Sequence, residues 1–152
     1  MFLETSRFGR ISYKKADIIW MARSLLGFEE CKRCVIISIK GQEPFKWLQS
    51  LDDPQLAFLM IDPHYFKPDY SAEINPKDLA LIGASQVKDI VLMVLVTIPK
   101  GQPQRMSANL KGPLAISLKN MHAVQVVLGE SGYETSHPIY REIEKRLALA
   151  SA

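Results

Sequence analysis

The segment from Pro44 to Tyr70, PFKWLQSLDDPQLAFLMIDPHYFKPDY, constrains the fold more than any other stretch of the chain, because it packs two strand signals and three proline turns into one short span. Phe45, Trp47, Gln49 and Leu51 share one face of an extended run, and Leu56 to Ile61 is apolar on both faces, as expected of a strand covered on both sides. Asp53-Pro54 turns the chain between them. Asp62-Pro63 turns it again and sends Tyr65, Phe66 and Tyr70 into a loop that Lys67-Pro68 keeps out of any central strand. Aromatic side chains in a proline-held loop either plug the local core or form a contact surface. Pro63 and Pro68 restrict their freedom before binding, so Tyr65, Phe66, Asp69 and Tyr70 are candidate protein-contact residues. Trp47 reads as core, with an indole N–H that needs a partner in the sheet.

Strand signals continue at short intervals through the rest of the chain. They cover Phe2–Arg7, Arg10–Tyr13, Asp17–Trp20, Cys34–Ile39, Phe45–Leu51, Leu56–Ile61, Ile90–Ile98, Met106–Leu110, Leu114–Leu118 and Ala123–Leu128. Turn residues separate them at Gly9, Lys40-Gly41, Pro99 to Pro103, Gly112-Pro113 and Asn120. Many short strands of this kind predict an all-β, antiparallel, barrel-like fold. One short internal helix is expected over Pro76–Ile82, with Asn75 as its cap, Pro76 at its first position and Asp78 near the positive end of its dipole. After His137-Pro138, which reads as a helix entry, the apolar period changes: Ile139, Ile143 and Leu147 fall four apart among charged residues, the stripe of an amphipathic C-terminal helix. Residues 1–138 are therefore expected to form the barrel domain and residues 139–152 a helical tail. Alone such a helix is marginal, so it should dock on its own barrel, fray or pair with another chain.

A chain of 152 residues suits one domain with a real core. The N-terminal Met-Phe-Leu meets Glu4 and Arg7 before a signal peptide could form, and the apolar run Ile90–Val96 is far short of the ~20 residues of a membrane span. A cytoplasmic protein without membrane contact is expected. The net charge is +3, and Lys100, Arg105, Lys111 and Lys119 lie in a stretch with no acidic residue. A basic face attracts nucleic acid or an acidic partner, but no aromatics are interleaved as a stacking platform would require. Lysines that protect sheet edges explain the pattern better.

The chain carries almost no catalytic signature. Gly83-Ala84-Ser85 and Gly129-Glu130-Ser131-Gly132 do not complete a nucleophile elbow, and no phosphate-binding glycine loop is present. Asp52, Asp53, Asp62 and Asp69 sit beside prolines and read as turn formers rather than as a metal or acid–base cluster. His64 reads as a packed loop residue. Cys31 and Cys34 form a lone C-x-x-C; without paired histidines it makes no zinc site, and the β-branched run Val35-Ile36-Ile37 that follows is no redox helix, so two ordinary thiols near a strand start are expected. No catalytic residue, metal or cofactor is expected.

In order and spacing, WLQSLDDPQLAF (Trp47–Phe58), IDPHYFKPDY (Ile61–Tyr70), VLMVLVTIP (Val91–Pro99), ANLKGPLAISLKN (Ala108–Asn120) and QVVL (Gln125–Leu128) resemble the flagellar assembly factor family, FliW, across residues 1–138. The chain departs from the family pattern at ARSLLGFEE, Ala22–Glu30, where a proline-containing Gly-Leu-Pro-Gly-Phe-Glu turn is usual. The resemblance implies a non-enzymatic protein that binds newly made flagellin and the translational repressor CsrA, so that export of flagellin frees it to capture the repressor. It implies that RNA is displaced indirectly, through CsrA. Two rivals are direct RNA binding through the basic face and a flagellin chaperone without a translational role. The sheet edge near Asn109 and Lys111 is the second candidate contact surface beside the aromatic loop.

Overall fold

In the structure, a computed structural model that describes residues 1–151 with side chains through Leu147, strands dominate. An antiparallel hairpin of β1 (Phe2–Thr5) and β2 (Gly9–Ser12) stands apart from the main sheet. The main sheet takes β3 (Ile19–Met21), β4 (Arg33–Ile37), β5 (Lys46–Ser50), β6 (Ala57–Ile61), β7 (Val91–Thr97), β8 (Ser107–Ala108), β9 (Leu114–Ser117), β10 (His122–Gln125) and β11 (His137–Pro138). The long strand β7 closes it. Val94, Leu95 and Val96 pair with β6, while Val91, Leu92 and Met93 pair with β9, so that β3, β4, β5, β6, β7, β9 and β10 complete a seven-strand barrel. Closure removes the exposed edges that an open sheet of this size would carry.

The fold is thus the expected mainly-β barrel with one short internal and one C-terminal helix. Three local expectations are corrected. β3 pairs in parallel with β10, Trp20 opposite His122; side-chain alternation fixes which face a strand buries and not the direction of its neighbour. The Met106–Leu110 signal yields only Ser107–Ala108; the His137-Pro138 entry to the C-terminal helix pairs with it as an edge strand. An edge is where a strand tolerates proline. Asp17 belongs to a 3-10 turn, Lys15–Asp17, ahead of β3.

Alternation along the strands sorts the core into layers. Ile19, Cys34, Leu48, Met60, Met93, Leu114, Ile116 and Ala123 come from all seven barrel strands and pack as one cluster, the barrel interior. The opposite faces of the β6, β7, β9 and β10 strands present Leu59, Ile61, Val94, Val96, Ala115 and Val124 outward, where the segments after β6 and after β10 cover them. On another side, Leu3, Ile11 and Tyr13 of the N-terminal segment pack over Val35.

Within the covering layer, α1 (Pro76–Leu81) starts as its sequence dictates: Asn75 Oδ1 accepts from the Lys77 N–H at 2.7 Å and Pro76 occupies the first turn. It ends at Gly83, whose φ of +71° is left-handed and where a Cβ would come 2.7 Å from Asn120 Nδ2. That amide donates to the Gly83 carbonyl at 2.9 Å and pins the helix end to the β9–β10 turn. α2 (Tyr140–Ser151) docks on its own barrel, burying Ile139 at its entry and Ile143, while Leu147 is exposed. Two such burials contribute about 1.5–3 kcal/mol each.

The turn aspartates act as caps. Asp53 Oδ1 accepts from Gln55 N–H at 3.0 Å and Asp62 Oδ1 from His64 N–H at 2.9 Å. Asp52 reaches further, accepting from the Lys32 and Arg33 N–H groups at 2.8 and 2.7 Å and from Arg33 Nε at 3.1 Å. Desolvation works to raise its pKa, but these backbone donors and the Arg33 guanidinium outweigh it and hold the carboxyl below its usual value. A lowered folded pKa adds stability above the unfolded value of about 3.9, and that stability is lost as pH falls through the folded value. Asp52→Ala is expected to destabilise by about 1–3 kcal/mol at neutral pH and by progressively less in acid, measured as urea midpoints against pH.

Candidate protein-binding surface

The aromatic loop after β6 folds inward. Phe66 and Tyr70 are 4% and 3% exposed and belong to the layer that covers the barrel. Phe66 stacks near His137 with ring centroids 6.2 Å apart, and the Tyr70 hydroxyl donates to the Leu110 carbonyl at 2.6 Å. Burial first, and then the neighbouring Tyr133, push the Tyr70 phenol above its ordinary range. His64 spans the loop, its ring nitrogens 2.9 Å from Asp62 Oδ1 and 3.0 Å from the Tyr70 carbonyl. As contact anchors, therefore, Phe66 and Tyr70 are corrected to core plugs. Tyr65 is half-buried against the same layer, and Asp69 is exposed, 3.5 Å from Lys67 Nζ.

The other candidate pair sits in the turn between β8 and β9. Asn109 Oδ1 accepts from the Lys111 and Gly112 N–H groups at 3.2 and 2.9 Å, and both Asn109 and Lys111 remain half-exposed. Gln125 Nε2 donates to the Gly112 carbonyl at 3.1 Å, and its Oε1 accepts from Leu26 N–H at 3.2 Å. One buried amide thus ties this turn to the loop between β3 and β4 that departs from the family pattern. In that loop Leu26 and Phe28 are 71% and 41% exposed.

Phe28 marks a surface that pattern reading missed. With Arg7, Trp47, Phe58, Leu95 and Ile98 it lines a mainly apolar groove of about 640 Å³. Phe28 meets Phe58 edge-on at 4.9 Å, Phe8 meets Trp47 at 5.6 Å, and the Arg7 guanidinium lies 4.5 Å over the indole. Trp47 is accordingly half-buried at the groove rather than core, and its Nε1 donates to Gln42 Oε1 at 2.9 Å, in the turn instead of the sheet. The groove takes Phe28 from a loop, Trp47 from β5 and Ile98 from the end of β7. No sequence window holds all three.

Among the described residues no three His, Cys, Asp or Glu side chains group as a metal site. No helix among them is long and apolar enough to cross a membrane. Lys100 and Arg105 lie in the β7–β8 connection, Lys111 in the β8–β9 turn and Lys119 in the β9–β10 turn, and Arg105 is engaged with Gln102 Oε1 at 3.0 Å.

A family model described as FliW protein matches residues 2–139. The chain belongs to the FliW family. It is 39% identical over 151 residues to the flagellar assembly factor FliW of Caldanaerobacter subterraneus subsp. tengcongensis, covering 99% of this chain and 100% of that one. The FliW of Treponema denticola is 41% identical over 144 residues, 94% of this chain and 96% of the relative. A crystal structure of the flagellar assembly factor FliW superposes with a TM-score of 0.85 at 27% identity, covering 92% of this chain and 97% of that one. Barrel, covering layer and groove thus lie within the span of a FliW protein.

Proposed function

We propose that this FliW protein works in the cytoplasm by binding flagellin and, when flagellin is exported, the translational repressor CsrA, without catalysis or cofactor. The observation that carries the reading is the family match through residues 2–139, which takes in every strand of the barrel. We assign the groove beside Trp47 to flagellin. A subunit not yet assembled exposes the apolar faces it will bury in the assembly, and a largely apolar groove with aromatic walls is the complementary surface. The half-exposed Asn109–Lys111 turn, with Tyr65 and Asp69 on the neighbouring loop, is the second contact surface, assigned to CsrA. Direct RNA binding is disfavoured because the four basic residues are distributed over three separate connections and, among the described residues, no exposed aromatic row accompanies them.

The purified protein is expected to co-elute with flagellin and, separately, with CsrA at a ratio of one per protomer on size exclusion at micromolar concentration. Adding flagellin should release CsrA and restore its grip on leader RNA. Failure of both pairs to co-elute would overturn the reading. Binding of leader RNA by the protein alone, weakening steeply with salt, would favour the RNA rival.

A further inference from the structure

We propose that Cys31 and Cys34 are a redox-responsive dithiol, which an oxidant of the hydroperoxide class converts to an intrachain disulfide at the rim of the barrel. The two Sγ atoms lie 3.3 Å apart in direct thiol contact, both sealed from solvent in the barrel interior. A disulfide of about 2.05 Å requires the sulfurs to approach by roughly 1.3 Å.

The backbone between them is held for that approach. Asp52 Oδ2 takes the N–H groups of Lys32 and Arg33, the two intervening residues, and the Cys31 N–H donates to the Phe28 carbonyl at 3.0 Å. Cys34 is fixed in β4 opposite Ile19 and Ser50. The thiols are also inequivalent. The hydrogen bond from Cys34 lowers the Cys31 pKa most, burial opposes it, the Ser50 hydroxyl assists, and the Asp52 and Asp53 carboxylates oppose. Cys34 keeps its proton, because its bond to Cys31, and then burial, raise its pKa.

Access comes through the turn that covers Cys31. Leu25 and Phe28 form an isolated bridge, Ser24 Oγ donates to the Glu29 carbonyl, and Leu26 N–H reaches Gln125 Oε1. The turn is anchored by buried Leu25 and by Phe28 against Phe58, but Leu26, Gly27, Glu29 and Glu30 are exposed and lie outside the strand ladder, so this connection opens at lower cost than the barrel. The Cys31 thiolate then attacks one peroxide oxygen, breaking the O–O bond to give a sulfenic acid and hydroxide, which takes a proton to leave as water. The Cys34 sulfur attacks the sulfenic sulfur, the S–O bond breaks, the Cys34 proton passes to the departing oxygen, and a second water leaves. Two thiols and one hydrogen peroxide become one disulfide and two waters. The bond ties the Phe28 turn to β4, so oxidation should slow its opening. The thiol chemistry does not depend on which partner the groove takes.

The test treats the full-length native protein with hydrogen peroxide and reads intact mass, iodoacetamide labelling and amide exchange. The expected product is a monomer lighter by two hydrogens, with both cysteines unlabelled, both labels regained after dithiothreitol, and slower exchange over residues 24–32. In Cys34→Ser, dimedone should trap a sulfenic acid on Cys31, whereas Cys34 in Cys31→Ser should stay unlabelled by dimedone. Thiols that remain free, gain oxygen without pairing, or link two chains would overturn the proposal. Equal dimedone trapping of the two single variants would overturn the assigned roles.

Discussion

Phe66→Ala is expected to remove about 3–5 kcal/mol of folding stability, the cost of deleting a fully packed aromatic and leaving its cavity. Phe66 is 4% exposed among side chains that cover the outer faces of β6, β7 and β10, and it stacks near His137, where the edge strand β11 leads into α2. Truncation therefore opens a void between the barrel and its covering layer. Urea unfolding should show a lower midpoint with an unchanged slope, because the surface exposed on unfolding hardly changes. The folded fraction should bind its partners as wild type does. A contact anchor would behave in the opposite way, with an unchanged midpoint and weakened binding, so one pair of measurements separates the roles.

That reversal of roles shows where sequence reading stopped. An aromatic loop between prolines has the same local signature whether it faces inward or outward. What decides is a partner such as the Leu110 carbonyl, which takes the Tyr70 hydroxyl from 40 residues away. Local physics was legible wherever it was sufficient. The strand signals over Phe45–Leu51, Leu56–Ile61, Ile90–Ile98 and Leu114–Leu118 gave β5, β6, β7 and β9, though not that Leu48, Met60, Met93 and Leu114 are the side chains they turn to the interior, and the Asn75 cap gave α1. Proline and aspartate turns fell where the chain reverses. Long-range pairing was not legible. β7 divides one edge between β9 and β8, and β3 lies parallel to β10 with Trp20 opposite His122, arrangements that alternation leaves open because it fixes a strand's buried face and not its neighbours. The Cys31–Cys34 contact was concealed in the same way. A C-x-x-C ahead of a strand lacks the helix that usually marks a reactive pair, and only the fold brings Asp52 and Ser50 to it. Of the groove, one trace existed in the sequence: Phe28 sits within the segment that departs from the family's proline-containing turn.

The groove carries the largest expected effect on binding. Phe28 and Ile98 are 41% and 42% exposed, so their side chains contribute less to folding than core residues do, yet both face the same apolar hollow beside Trp47. The double variant Phe28→Asp with Ile98→Asp places two charges where a partner would have to desolvate them without a counter-ion. Its affinity for flagellin is expected to fall at least a hundredfold, about 2.8 kcal/mol, read by titration calorimetry. Stability should fall much less, by roughly 0.5–1.5 kcal/mol for the lost edge contact between Phe28 and Phe58. Arg7→Ala gives an internal comparison, since it removes the cation above the Trp47 indole without adding a buried charge; a weaker loss, within about tenfold or 1.4 kcal/mol, is expected. Unchanged flagellin binding by a well-folded double variant would move the flagellin interface away from Trp47, and the Asn109–Lys111 turn, half-exposed and rigidly held by its own amide, would then be the surface to alter next.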